Sequence, residues 1–119
     1  MAVPLAVVTF IKTMKKAHVE LFKMKMAVDA RNQKVTNHDE QESTEEISEA
    51  ISCTFSALGK VESLAGSRGH PDLADVDMLE LILPKCIGYW RTFEIISEDD
   101  EEMFRGFAGE IVTCYRPAT

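Results

Sequence analysis

Three cysteines, Cys53, Cys86 and Cys114, are the side chains of this sequence with the greatest capacity for nucleophilic chemistry. They are separated by 33 and 28 residues, so they lack the short-spaced pairs that a structural zinc site needs. Because the count is odd, at least one thiol has no partner within the chain. Free thiols are typical of a reducing compartment, so we predict a cytoplasmic or nuclear location and cysteines that pack as small buried apolar residues.

The three histidines, His18, His38 and His70, are too far apart to share one helix face at a spacing of three or four residues. This spacing excludes the helical zinc and di-iron motifs, and no histidine lies in a late apolar segment where a haem ligand is expected. His70 is close to Asp72, but each cysteine falls within a predicted helix, so no Cys–His–Asp arrangement is indicated. We predict no enzymatic activity, no metal and no cofactor.

The charge of the chain is divided unevenly along the sequence. The net charge is −7, yet residues 1–34 carry seven lysine or arginine residues against two acidic ones. A basic first helix can complement the charge of acidic helices within the same bundle. The alternative is that its basic residues bind an anionic partner. The candidate anion-binding residues lie off the apolar side of that helix: Lys12, Lys15, Lys16 and Lys23. Because the protein as a whole is acidic, we expect it to bind neither nucleic acid nor an anionic membrane surface.

The segments that would position these residues have the periodicity of α-helices. Apolar residues recur three and four apart in four segments, and no segment alternates apolar and polar residues as a strand does. With 119 residues, 45% of them hydrophobic, the chain is expected to form one domain over residues 1–119. No stretch is long and apolar enough to predict a membrane span. The predicted fold is all-α, a compact bundle of four to five helices with a long first helix.

The first helix is predicted to run from about Leu5 to Ala30. Its apolar residues alternate spacings of four and three, as in a coiled coil, and Ile11, His18 and Phe22 widen this stripe on one side. Because the stripe is long for a small domain, we predict that it also binds a second copy of the chain and forms a homodimer. The candidate interaction residues on it are Phe10, Met14, Leu21 and Met24.

Cap and turn signals divide the rest of the chain. The joint from Arg31 to Glu42 is predicted to be an exposed loop, followed by a capping box between Ser43 and Glu46 at the start of the second helix. Gly66 is predicted to adopt the left-handed conformation just after that helix. In the last helix, the acidic run that follows Ser97 suits a capped first turn rather than a calcium loop.

The third and fourth helical segments contain residues that disfavour a regular helix. The third begins near Asp72 or Asp75, and Pro84 within it predicts a kink or a break into two short helices. In the fourth, Gly106 and Gly109 each cost on the order of 1 kcal/mol relative to alanine. We expect the close approach of another helix, from this chain or from a second one, to compensate, so both glycines are candidate interaction residues.

Two observations favour a binding function. The sequence shows no set of residues that could act together in catalysis, and its six methionines give an adaptable apolar surface. We predict a non-enzymatic protein–protein interaction module, an adaptor or regulatory protein that self-associates through helical faces. Two alternatives stay open: a small-ligand pocket between the helices, and nucleic-acid binding through the basic first helix.

Overall fold

A computed structural model describes residues 4–66 and 73–116 of the chain. Within these ranges the backbone forms four α-helices, a turn of 3₁₀-helix at His38–Glu40, and no strand. The helices are α1 (Leu5–Gln33), α2 (Glu45–Gly66), α3 (Leu73–Thr92) and α4 (Glu98–Tyr115). Each helix packs against the next along the chain, and α4 packs back against α1. The prediction of an all-α bundle with a long first helix is confirmed.

Aromatic side chains from three helices meet at the centre of the core. The ring centroid of Phe10 lies 5.6 Å from that of Trp90 and 5.2 Å from that of Phe104, and Trp90 and Phe104 are 5.9 Å apart. Phe104 meets both other rings edge to face, which is the arrangement that the charge distribution of aromatic rings favours. The indole of Trp90 also donates a hydrogen bond to Thr54 of α2. All four helices therefore contribute to the centre of the bundle.

The apolar stripe predicted for the first helix faces this core. Val7, Phe10, Met14, Ala17 and Leu21 are fully buried, at alternating spacings of three and four. The helix ends three residues later than predicted and contains 29 residues, so it is about 43 Å long. Beyond Leu21 the stripe becomes half-buried.

The side chain of Asn32 closes the connection between α1 and α2. Its amide nitrogen donates to the Glu42 carbonyl, and its amide oxygen accepts from the Glu42 N–H, both at 2.9 Å. Gln41 adds a bond of 3.1 Å from its side-chain nitrogen to the Asn32 carbonyl. The predicted loop is therefore held in place by the end of α1, and its first three residues, from Arg31 to Gln33, are helical.

Two of the predicted helix boundaries are wrong. The Ser43 hydroxyl accepts from the N–H of Glu45 at 3.3 Å rather than from Glu46, because α2 begins at Glu45, one residue later than the capping box requires. Gly66 is the last residue of α2 and has no positive φ. By contrast the Ser97 cap is confirmed, since its hydroxyl accepts from the Asp100 N–H at 3.1 Å.

The third helix continues through Pro84 as a single element. The predicted break into two short helices therefore does not occur. Proline removes the N–H that would bond to the carbonyl of Glu80, one turn earlier. Both residues are exposed, which leaves that carbonyl within reach of solvent. A kink at this position stays a prediction.

A residue in the left-handed backbone conformation follows the end of α3. Glu94 has φ of 59°, its N–H bonds to the Arg91 carbonyl at 3.2 Å, and the Ile95 N–H bonds to the Trp90 carbonyl at 2.8 Å. These two bonds are those of a Schellman motif, in which the left-handed position usually carries glycine. The chain therefore turns from α3 to α4 at a residue type that disfavours this conformation.

Candidate functional site

Three of the four interaction residues predicted on α1 lie inside the folded chain. Phe10, Met14 and Leu21 have no exposed surface, so a partner of the folded protein has no access to them. Met24 is half-buried and packs against the edge of the core. The coiled-coil stripe therefore serves the chain's own core over most of its length.

Gly106 and Gly109 lie on the exposed surface of α4. A Cβ atom placed on either glycine would have nothing within 4 Å beyond the nearby backbone of α4 itself. The expected close approach of another helix of this chain is therefore wrong for both positions. The approach of a second chain to them stays a prediction.

The four lysines considered for anion binding, Lys12, Lys15, Lys16 and Lys23, are all exposed on α1. Lys15 Nζ lies 3.6 Å from Glu62 Oε1 on α2, and Lys23 Nζ lies 3.9 Å from Glu20 Oε1 one turn earlier. Exposed pairs of this kind contribute little to stability. Within the described ranges no ion pair is found for the other two lysines. Half of these positions are therefore partnered inside the chain.

An exposed apolar surface crosses α1 and α2. On α1, Val19 is 51% exposed, Phe22 47% and Met26 64%, and on α2 Phe55 is 65% exposed. The half-buried His18 ring lies between the two phenylalanines, with its centroid 5.6 Å from that of Phe22 and 5.7 Å from that of Phe55. We call the surface formed by these five residues the outer face.

The outer face follows from a second apolar spacing on α1 that the sequence analysis did not separate from the first. Four apolar or aromatic residues of α1 come one position after those of the buried stripe, about 100° further round the helix: Val8, Ile11, His18 and Phe22. His18 and Phe22 belong to the outer face, and Val19 and Met26 lie next to them on α1. Ile11 and His18 are half-buried, whereas Val8 and Phe22 are about half exposed. Ile11, His18 and Phe22 were interpreted as a widening of the core stripe. Their exact offset of one position was the signal that could have revealed a separate flank.

An open groove continues the outer face toward the start of α1. It has a volume of about 320 Å³ and is lined by Val8, Ile11, Lys12 and Lys15 of α1 and by Ala65 near the end of α2. The small-ligand alternative stays a prediction. The groove lies between α1 and α2 and is open at the surface. We therefore treat it as part of the same apolar surface, bordered by two ammonium groups.

The three cysteines occupy different environments. Cys86 is buried as expected, Cys53 is half-buried, and Cys114 is exposed, so the expectation of burial is wrong for Cys114. The sulfur atoms of Cys53 and Cys86 are 3.1 Å apart across the α2–α3 contact. A hydrogen bond from Cys86 lowers the pKa of Cys53, with partial burial opposing and Lys85 assisting. The same hydrogen bond, together with burial and the charge on Cys53, raises the pKa of Cys86.

Metal ligands do not converge in the part of the chain that the structure describes, where no three His, Cys, Asp or Glu side chains are grouped to hold an ion. His38 contacts Gln41 at the surface, with His38 Nδ1 3.4 Å from Gln41 Oε1. His70 and Asp72, considered above for nucleophilic chemistry, lie outside the described residues. No described helix combines the length and the apolar character needed to cross a membrane.

Comparisons of the chain with protein-family models, with curated proteins and with solved structures found no match.

Proposed function

We propose that this chain is a non-enzymatic protein–protein interaction module that forms a homodimer through the outer face. The supporting observation is the distribution of exposed apolar side chains. Val19, Phe22 and Met26 of α1 and Phe55 of α2 are all exposed large apolar side chains, and they lie together on the outer face. A contiguous exposed apolar surface bordered by charge is typical of an interaction site, and phenylalanine is enriched at interface centres.

The size of the α1–α2 pair that carries the outer face suits a second copy of the chain. The two helices contain 29 and 22 residues and pack side by side. At 1.5 Å per residue and about 10 Å per helix, their common outer surface is roughly 35 Å by 20 Å, or about 700 Å². A standard interface buries about 800 Å² on each partner. An identical helix pair would therefore cover the surface from end to end.

Charge selects one arrangement of the two copies. Stacking α1 on α1 of the second copy would bring two sets of lysines together, and such like-charge contacts are unfavourable. A twofold axis parallel to the helices instead places α1 over α2 of the second copy. Lys15 then approaches Glu62 of the second copy, and Phe22 packs against Phe55 of the second copy. Each of these contacts occurs twice by symmetry.

Sedimentation velocity with substituted proteins tests the proposal. The double variant Phe22→Asp/Phe55→Asp should be monomeric with unchanged helix content by circular dichroism, because both side chains are exposed in the monomer. The matched control is Leu81→Asp on α3, whose side chain is 69% exposed and lies off the outer face. This control should remain dimeric. A dimer that survives the double substitution, or one that the control disrupts equally, contradicts the proposal.

In this dimer α3 and α4 lie on the side of each copy away from the interface. That side stays free for further protein partners, as an adaptor or regulatory role requires. The free thiols of all three cysteines support a cytoplasmic or nuclear location.

A further inference from the structure

The contact between α2 and α3 contains a pair of thiols that the proposed function does not use. Cys53 Sγ and Cys86 Sγ are 3.1 Å apart, although 33 residues separate them in the sequence. A disulfide has a sulfur–sulfur distance of about 2.05 Å, so the two atoms need to approach by about 1 Å. We propose that Cys53 and Cys86 form a reversible intramolecular disulfide that cross-links α2 to α3.

The two thiols differ in access, which assigns a role to each. Cys53 is half-buried and reaches the surface, whereas Cys86 is fully buried. Thiolates are the attacking species in disulfide exchange, and the lowered pKa of Cys53 favours its thiolate. Cys53 is therefore the residue that meets an oxidant, and Cys86 is the residue that resolves the product.

The oxidant we name is a small-molecule disulfide of the glutathione class. The Cys53 thiolate attacks one of its sulfur atoms, forms a mixed disulfide and releases one glutathione thiolate. The Cys86 thiol then loses its proton to solvent, and its sulfur attacks Cys53 Sγ, which forms the Cys53–Cys86 bond and releases the second glutathione thiolate. Two protein thiols are oxidised and one glutathione disulfide is reduced to two glutathione molecules, so electrons and atoms balance.

Formation of the mixed disulfide on Cys53 assists the later attack by Cys86. The hydrogen bond and the negative charge of Cys53 are among the causes that raise the pKa of Cys86. In the mixed disulfide Cys53 carries no charge, so these causes disappear and Cys86 ionises more readily. A side-chain hydrogen bond from Thr54, which lowers the pKa of Cys86, remains.

The cross-link changes the stability of the whole bundle. It closes a loop between residues 33 positions apart. Loop closure restricts the unfolded chain, and for this length it should raise Tm by roughly 10 °C. The two helices that it joins also share the buried Trp90–Thr54 hydrogen bond, so oxidation reinforces an existing contact.

The test uses the full chain with Cys114→Ser, which removes the exposed cysteine and its intermolecular products. Reduced protein is incubated with oxidised glutathione, free thiols are alkylated, and intact mass is measured. We expect a mass lower by two hydrogen atoms, a linked Cys53–Cys86 peptide after proteolysis, the rise in Tm, and reversal by reduced glutathione. The control carrying Cys114→Ser and Cys86→Ser should stop at a glutathione adduct on Cys53.

Three results would overturn the inference. One is a protein that keeps two free thiols in excess oxidised glutathione while circular dichroism shows it folded. Another is a stable glutathione adduct on Cys53 when Cys86 is present. The third is a Cys53–Cys86 bond that reduced glutathione does not open, because that bond would be a permanent cross-link rather than a reversible one.

Discussion

The indole nitrogen of Trp90 donates a hydrogen bond of 3.0 Å to the hydroxyl of Thr54, and both side chains are fully buried. The bond joins α3 to α2 beside the aromatic centre of the core. No buried side-chain nitrogen or oxygen in the described ranges lacks a partner. This polar contact therefore fixes how the two helices pack without leaving an unsatisfied group.

Replacement of Thr54 by valine should test the value of this bond. Valine keeps the shape of the side chain but leaves the indole N–H without an acceptor, which costs about 1–3 kcal/mol of unfolding free energy. Thr54→Ser retains the hydroxyl and serves as the control. Urea denaturation followed by the fluorescence of Trp90, the one tryptophan of the chain, measures the difference. A valine variant as stable as wild type would show that the bond contributes nothing.

A charge at Leu21 should unfold the protein. Leu21 is fully buried on α1, so Leu21→Asp places a carboxylate in apolar surroundings and should cost more than about 4 kcal/mol. The control is Leu81→Asp on α3, off the outer face, where the side chain is 69% exposed. Circular dichroism should show a folded control and a largely unfolded Leu21 variant. Equal stability of the two would contradict the burial of the stripe.

Glycine at position 94 should stabilise the protein. Glu94 has φ of 59°, where residues other than glycine are strained by about 1–2 kcal/mol. Glu94→Gly should therefore unfold at higher urea concentration than Glu94→Ala, which removes the same carboxylate and keeps the strain. An alanine variant at least as stable as the glycine variant would mean that the turn after α3 carries no such strain.

The sequence predicted the parts of the fold that depend on local periodicity. The alternation of three and four from Val7 to Leu21 specifies a buried stripe, and the structure confirms it. The hydroxyl of Ser97 acts within one turn, so its cap could also be predicted. The cap predictions for Ser43 and Gly66 were wrong because the start and the end of α2 each differ by one residue from the predicted positions. A cap depends on the exact residue at which a helix begins or ends.

The candidate site was harder to predict because it depends on how the helices pack. Periodicity places His18 and Phe22 on one flank of α1 but does not decide whether α2 covers that flank. In the structure α2 covers it partly, so His18 is half-buried and Phe22 remains 47% exposed. The Cys53–Cys86 contact depends in the same way on the register of α2 against α3, which sequence spacing does not contain.

Alanine at Gly106 and Gly109 distinguishes two possible dimer surfaces. Both sites have room for a Cβ atom, so each substitution should stabilise the protein by about 0.5–1 kcal/mol through higher helix propensity. Because the proposed interface lies on α1 and α2, the dimer dissociation constant should not change. Weaker dimerisation of these variants would instead indicate that a second chain packs closely on α4.

The oligomeric state of the wild-type protein is the most direct test of the proposed function. The chain has a mass of 13.3 kDa. Sedimentation over a dilution series that starts at about 100 μM measures the mass as a function of protomer concentration. Homodimerisation through the outer face predicts twice the chain mass at high concentration, with dissociation to the single-chain mass on dilution. A mass of 13.3 kDa at every concentration would contradict it.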